Sequence, residues 1–345
     1  MANTRKLRAA VIGCGKIART LHMAEYTSCP DTELVAYCDI DHQSIADTVA
    51  LYGNRPVYTC WQEMMRKEQL DCVTVSLPNY LHREATLDAL AAGVHVLVEK
   101  PMALTLADAD KMIAAAKKAK KILMVDQSQR FSAVHQKARE VMQSGMLGKV
   151  LHVATSFGHG GPEGWSPRGK WFFKKAEAGF GPMADLGIHK ADLVRFLTGK
   201  EVESVSGFTA RQEKQNTDVE DNFVSILRFT DGTLGTLTAS WTVKGMETNY
   251  TYLYCEKGTL AVSVIPGRPL VAFLSSPKCE IDFPTASIQS NTQKSWRLGV
   301  IDNFAAAILG KADCAVPGEE GRKALAIILA ADEASRTGKT VKVAK

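Results

Sequence analysis

A chain of 345 residues is too long for one ordinary hydrophobic core and suits two domains, each large enough to bury its own. The net charge of +5 is small for this length, with acids and bases interspersed, which argues against nucleic acid and against an anionic membrane surface as partners. No apolar run approaches the roughly 20 residues of a membrane span, the charged N-terminus enters a strand without a cleavable signal, and the eight cysteines contain no C-x-x-C pair, so a cytoplasmic protein with reduced thiols is expected.

Leu7 to Ile12 is a short apolar strand, followed by Gly13-Cys14-Gly15-Lys16-Ile17-Ala18 at the start of a helical pattern. This is the G-x-G-x-x-A form of the dinucleotide fingerprint. Gly13 suits the tight turn, Gly15 lets backbone approach a pyrophosphate, and the small Ala18 lets helix and strand pack closely. Gly13, Gly15, Lys16 and Ile17 are therefore candidate cofactor contacts, with the helix N-terminus facing the phosphates. A second strand, Leu34 to Cys38, ends in Asp39, at the separation expected for the carboxylate that bonds the adenosine ribose. Ile40 and Asp41 follow, with no Arg or Ser to receive a 2′-phosphate. A carboxylate about 4 Å from a phosphate repels it by a few kcal/mol even at an effective dielectric near 20, so NAD is expected over NADP.

Strand and helix continue to alternate. Cys72 to Leu77 reads as a buried strand and Arg83 to Ala92 as a helix ending at Gly93, with Pro78-Asn79-Tyr80-Leu81-His82 between them. The apolar run from Val94 to Val98 breaks into Glu99-Lys100-Pro101, a carboxylate and an ammonium at the end of a strand, where open parallel sheets bind ligands. A helix from about Leu106 ends in the basic run Lys117, Lys118, Lys120 and Lys121, read as a solvated helix end, and a strand at Ile122 to Val125 closes the series. Residues 1–126 are thus an NAD-binding Rossmann domain, a doubly wound parallel sheet, and 127–345 a second domain.

Taken together, Gly13-x-Gly15-x-x-Ala18, Pro78-Asn79 with His82, and Glu99-Lys100-Pro101 resemble the Gfo/Idh/MocA oxidoreductases, the glucose-fructose oxidoreductase and inositol dehydrogenase family. The resemblance implies cofactor contacts at Pro78, Asn79, His82, Glu99 and Lys100 and a cis bond before Pro101. It also implies that Lys100 contacts the reacting hydroxyl and the nicotinamide ribose.

Asp126-Gln127-Ser128-Gln129-Arg130-Phe131 opens the second half, Gln127 standing where the family commonly has Asn, as a cofactor contact or simply as linker. An amphipathic helix runs to about Ser144. A strand from Lys149 to Phe157 enters the long loop Gly158 to Gly169, where Trp165, Arg168 and, just beyond, Trp171 suit a polyhydroxylated ring. His159, in the same loop, is either a further substrate contact or an idle loop histidine.

Pro182 and Gly199 bracket a helix on which Asp185 and His189 stand at i and i+4, sharing a face, with Asp192 placed to orient His189. Such a pair can be an ordinary surface contact. The segment resembles the family's Gly-Gly-Gly…Asp-x-Gly-x-His pattern, with Phe180 replacing the middle Gly, which implies Asp185 as substrate hydroxyl ligand and His189 as general base. No metal is expected, since no Glu, Cys or second His falls at ligand spacing.

From Glu201 to about Phe283 strands follow without helices between them, with turns at Thr230-Asp231-Gly232-Thr233 and Glu256-Lys257-Gly258. The second domain is therefore α+β with a large, mainly antiparallel sheet. Tyr250, Tyr252 and Tyr254 alternate with Thr251, Leu253 and Cys255, so both faces carry apolar bulk. One set is expected to pack on helices and the other on a second subunit, as a homodimer or homotetramer. Trp296, Val300, Phe304 and Ile308 recur at spacing four in a penultimate helix, before a last one from Arg322 to Arg336.

The expected activity is hydride transfer between a hydroxyl of a cyclic polyol, pyranose sugar or sugar derivative and NAD, with Lys100, His189 and Asp185 catalytic. Arg168, Trp165 and Trp171 join those three in binding substrate. Two other classes within the resemblance are a glycosidase that retains NAD and a non-catalytic NAD-binding regulator.

Overall fold

Short runs of two to seven residues, too short for core helices and mostly rich in Val, Ile and Leu, form the first sheet. In a computed structural model describing residues 5–284 and 297–345, its strands are Leu7–Ile12 (β1), Thr32–Cys38 (β2), Val57–Tyr58 (β3), Cys72–Val75 (β4), His95–Val98 (β5) and Leu123–Val125 (β6). All pair in parallel, in the order β3-β2-β1-β4-β5-β6. Parallel neighbours need crossovers, supplied by helices such as His42–Tyr52, His82–Ala91 and Leu106–Ala119. The strand order reverses between β1 and β4, the point at which doubly wound sheets bind dinucleotides. Val11, Ile12, Val73, Val75, Val96 and Val98 are wholly buried, as expected of strands covered on both faces. Lys117, Lys118 and Lys120 are exposed, a solvated helix end.

The chain divides into two units between Asp126 and Gln127. The first comprises residues 5–126 and 297–322, the second 127–284 and 323–345. Keeping 127–345 together, as the sequence suggests, therefore misplaces residues 297–322. The buried carboxylate of Glu25 is one reason they return. It accepts the backbone N–H groups of Leu298, Gly299 (2.9 Å) and Ile301 (2.8 Å) at the start of helix Val300–Ile308, which has no side-chain cap of its own. Val300 and Phe304 of the spacing-four stripe are fully buried, and Trp296 lies outside the described residues.

The second sheet uses Val150–Gly158 (β7), Val202–Ala210 (β8), Asn222–Phe229 (β9), Leu234–Ser240 (β10), Thr248–Cys255 (β11), Gly258–Ile265 (β12), Arg268–Ser275 (β13), Lys278–Asp282 (β14) and Val341–Lys342 (β15). Its order is β14-β13-β12-β11-β7-β10-β9-β8-β15, with β7 and β10 parallel and the other neighbours antiparallel. Both anticipated turns lie where the sequence puts them, between β9 and β10 and between β11 and β12. Thr251 and Leu253 are wholly buried, so the tyrosines take the other face of β11. Tyr254 stacks on Tyr252 (ring centroids 5.5 Å apart) and on His152 (5.4 Å).

Candidate active site

In the first unit the fingerprint glycines do different work. Gly13 has φ +93°, and a Cβ there would fall 2.1 Å from the Ser76 carbonyl oxygen, so only glycine fits the turn. At Gly15 a Cβ would meet nothing within 4 Å, leaving open space beside the backbone for a phosphate. Lys16 and Ile17 are partly exposed beside it, and the helix continues through a π-turn, Ala18–His22, into Met23–Ser28. Asp39 accepts the N–H groups of Cys14 (2.6 Å) and Asp41 (2.8 Å), which ties this carboxylate to the fingerprint turn. Asp41 caps helix His42–Tyr52 through Ser44 and Gln43. These residues fit a dinucleotide: a cradle without side chains, a helix start and a carboxylate at the next strand end.

The end of β5 is built differently from the sequence expectation. Glu99 is buried, its Oε1 lying 2.8 Å from His22 Nε2 and its Oε2 accepting the Lys100 N–H at 3.1 Å. His22 is wholly buried and also lies 3.6 Å from Asp126. Burial favours the neutral forms, yet the His22–Glu99 hydrogen bond and mutual charge prevail, raising the His22 pKa and lowering that of Glu99. Burial, reinforced by the Glu99 charge, pushes the Asp126 carboxyl well above its usual range. Donor atoms of the three lie within 4.8 Å of one another, a grouping of metal-ligand type that sequence spacing does not reveal, and His22 Nδ1 and Asp126 Oδ1 have no hydrogen-bond partner among the described residues.

His82 is also wholly buried. Its Nδ1 lies 2.8 Å from the Pro101 carbonyl oxygen and its Nε2 2.8 Å from that of Leu77, so the ring joins two backbone turns and is not presented to a ligand. Both neighbours are acceptors, which favours an imidazolium; burial is the larger influence and leaves the pKa lowered. The 3₁₀ turn Asn79–Leu81, entered from Pro78, precedes it, and Asn79 is buried. The Lys100–Pro101 bond is cis.

In the second unit, Asp185 lies in a π-turn, Met183–Gly187, that runs into helix Ile188–Thr198 carrying His189. Gly181 precedes it because a Cβ there would sit 2.0 Å from the Glu220 carbonyl oxygen. The Glu220 carboxylate accepts the Met183 N–H at 3.1 Å, and burial pushes its pKa up to about 7. Trp241, fully buried after β10, donates its indole N–H to Asp185 Oδ2 at 2.9 Å. His159 Nε2 stands 3.6 Å from the same oxygen, while its Nδ1 accepts the Gly161 N–H at 3.0 Å, which assigns the neutral ring's proton to the nitrogen facing Asp185. The Phe157 ring lies 6.2 Å from both the His159 and His189 rings. His189 is partly exposed within an otherwise buried run.

Asp192 corrects an expectation. Its carboxylate is taken up by Arg130, whose guanidinium reaches both oxygens (2.6 and 2.5 Å) in a buried bidentate pair. Gln127 is buried, and neither amide atom has a hydrogen-bond partner among the described residues. In the loop, Trp171 stacks on Phe172 (3.8 Å) and Trp165 meets that ring edge-on (5.2 Å), while Arg168 is exposed. Lys214 ties the loop down through the Gly160 carbonyl (2.7 Å) and Glu163 (2.9 Å). The structure thus groups Asp185, His189 and His159 in one unit and Glu99, Lys100 and the fingerprint in the other. His22, Asp126 and Trp241 escaped the sequence reading, since each acquires its partner across 56 to 104 residues and no local pattern marks them.

Comparison with known families agrees with this division. Residues 7–127 match the model of an oxidoreductase family with an NAD-binding Rossmann fold, and residues 135–261 the GFO/IDH/MocA C-terminal domain. A solved aldose-aldose oxidoreductase from Caulobacter crescentus, complexed with glycerol, is 30% identical with a TM-score of 0.84, over 98% of this chain and 100% of that one. The chain belongs to the Gfo/Idh/MocA oxidoreductases. Among members of this family, D-glucoside 3-dehydrogenase of Escherichia coli is 37% identical over 194 residues, 56% of this chain and about half (54%) of that protein. The 1,5-anhydro-D-fructose reductase of Ensifer adhaerens is 29% identical over 83% of each chain. Lys100 falls in the part matched to the first family model, and Asp185 and His189 in the part matched to the second. No helix among the described residues is long and apolar enough to cross a membrane, and all eight cysteines are free thiols.

Proposed function

We propose that this protein is an NAD-dependent dehydrogenase acting on a ring hydroxyl of a cyclic polyol, a pyranose sugar or a sugar derivative. The observation that carries the reading is Asp185, in the π-turn that runs into the helix bearing His189, held by Trp241 and faced by His159. Bound NAD supplies the hydride acceptor. His189 takes the hydroxyl proton, Lys100 steadies the oxygen as charge develops on it, and Asp185 holds that hydroxyl or its neighbour. Gly13, Gly15, Lys16, Ile17, Asp39, Pro78 and Asn79 hold the dinucleotide, with Gln127 as a further contact; Trp165, Arg168 and Trp171 flank the sugar. His82 and Glu99 act from beneath. Relatives that act on a D-glucoside, 1,5-anhydro-D-fructose and myo-inositol support the substrate class. The test is a panel of glucosides, aldoses and inositols assayed for NADH formation at fixed NAD. Turnover of a cyclic polyol or sugar with stoichiometric NADH is expected; glycoside cleavage without net NADH would instead indicate a glycosidase, and no turnover at all a regulator. Free thiols support a cytoplasmic enzyme.

NAD should bind at least tenfold tighter than NADP. Asp39 faces the fingerprint turn, and Ile40, 80% exposed, offers no cation to a 2′-phosphate. The double change Asp39→Ser with Ile40→Arg removes a repulsive charge and adds a phosphate partner, so it should erode the preference. Titration of both cofactors by tryptophan fluorescence checks this; equal affinities in the unmodified protein would overturn the assignment.

The open face of the second sheet supports a homodimer or homotetramer. Phe208 (75% exposed), Val224 and Ile226 (55% each) stand on it with the stacked tyrosines of β11. An apolar patch spread over several strands calls for a second copy of the chain. Light scattering at micromolar concentration should report at least a dimer, and Ile226→Glu should shift it toward monomer; a monomeric wild type would rule this out.

A further inference from the structure

Backbone pairing around β5 stops just short of Lys100. The last ladder bonds run from the Glu99 N–H to the Val75 carbonyl (2.9 Å) and from the Asp126 N–H to the Val98 carbonyl (2.8 Å). Beyond them side chains take over. Glu99 Oε2 receives the Lys100 N–H while Oε1 meets His22 on the fingerprint helix, and the next carbonyl, that of Pro101, meets His82. His82 in turn is anchored on the Leu77 carbonyl, beyond the end of β4. Apolar rings would fill these two wholly buried positions without any polar group to satisfy, whereas each imidazole here has a nitrogen 2.8 Å from an acceptor on the strand end.

We propose that His22 and His82 are positioning residues for Lys100, His22 acting through the Glu99 carboxylate and His82 through the Pro101 carbonyl to fix the backbone from which Lys100 projects. The inference rests on the reading of Lys100 as a catalytic group. Displacing such a group by about 1 Å can lower a rate roughly 10²-fold, so a clamp on both sides of one residue has a kinetic purpose. The groups facing His22 are Glu99, Asp126 and Glu25, and those facing His82 are Glu99, Lys100 and the two carbonyls. The network thus joins the fingerprint helix, β4, β5 and β6 of a single unit.

The test compares His22→Phe, His22→Gln, His82→Phe and Lys100→Ala in the full chain. Three quantities are read: the single-turnover rate with the panel substrate oxidised fastest, the Kd for NAD, and the rate at which trace acetic anhydride labels Lys100, followed by peptide mass spectrometry. His22→Phe and His82→Phe should lower the rate at least tenfold and change Lys100 labelling at least threefold, while NAD affinity falls by no more than about threefold. His22→Gln, which keeps a donor toward Glu99, should stay within about threefold of wild type in all three. Folded His22→Phe and His82→Phe proteins with wild-type rate and labelling would overturn the inference. If His22→Phe does not fold, His22→Leu, which also removes the bond to Glu99, replaces it, and unaltered rate and labelling there are equally decisive. If instead Lys100→Ala retains the wild-type rate while His22→Phe still alters Lys100 labelling, the catalytic reading of Lys100 fails and the clamp stands.

Discussion

His189→Ala should lower the rate of substrate oxidation by roughly 10²- to 10⁴-fold while leaving NAD affinity nearly unchanged. His189 is the partly exposed member of a buried helix, and the Phe157 ring lies 6.2 Å from both its ring and that of His159; in the proposed mechanism it takes the reacting proton. An imidazole accepts a proton only when neutral, so the wild-type rate should climb with pH through a limb that the alanine variant lacks. Lys100→Ala, by contrast, should weaken both the rate and the binding of cofactor or substrate, because the role proposed for Lys100 includes the nicotinamide ribose. Stopped-flow single turnovers over a range of pH separate the cases. An ascending limb that survives in His189→Ala with little loss of rate would make His189 a structural residue and remove the proposed mechanism.

The second large effect concerns stability. Lys190→Met should stabilise the protein by a few kcal/mol at pH 6, and the advantage should fade toward pH 10. The Lys190 side chain is wholly buried, its ammonium 5.8 Å from the centre of the Phe157 ring and without a hydrogen-bond partner among the described residues. Burial lowers its pKa to about 7, and its charge, added to burial, helps hold His135 down at about 3. Between about pH 7 and the unfolded value of 10.5 the unfolded chain binds more protons than the folded one, so stability contributed by this site rises with pH across that window. Below it, the native state carries the full penalty of the buried charge, on the order of 5 kcal/mol for a shift of this size. Methionine keeps most of the side-chain volume and has no proton to lose. Urea unfolding of both proteins from pH 6 to 10 provides the measurement. A variant no more stable than wild type at pH 6, or one that keeps the same dependence on pH, would show that the amine is accommodated by means other than deprotonation.

Local spacing along the chain accounts for part of this architecture. Alternating buried strands and crossover helices imply a parallel sheet whichever side chains fill it, and a glycine fingerprint followed by a strand-end Asp39 implies a dinucleotide; Asp185 and His189 stand four apart, but the π-turn Met183–Gly187 that carries Asp185 into the next helix is not written in that spacing. The alternation in β11 likewise showed two apolar faces, but burial of Thr251 and Leu253 was needed to tell which one is open. Tertiary structure decided everything whose partner lies far along the chain. Asp192 sits on the His189 stripe, yet Arg130 takes its carboxylate, because a long forked side chain 62 residues away reaches both oxygens. Residues 297–322 join the first unit because Glu25 caps their helix across 276 residues, a bond that no periodicity encodes. His82 reads as a ligand contact beside Pro78 and Asn79, but the fold turns its ring inward between two carbonyls. Buried polar groups must find partners wherever the chain brings them, so their pairing is a property of the assembled core rather than of any window of sequence.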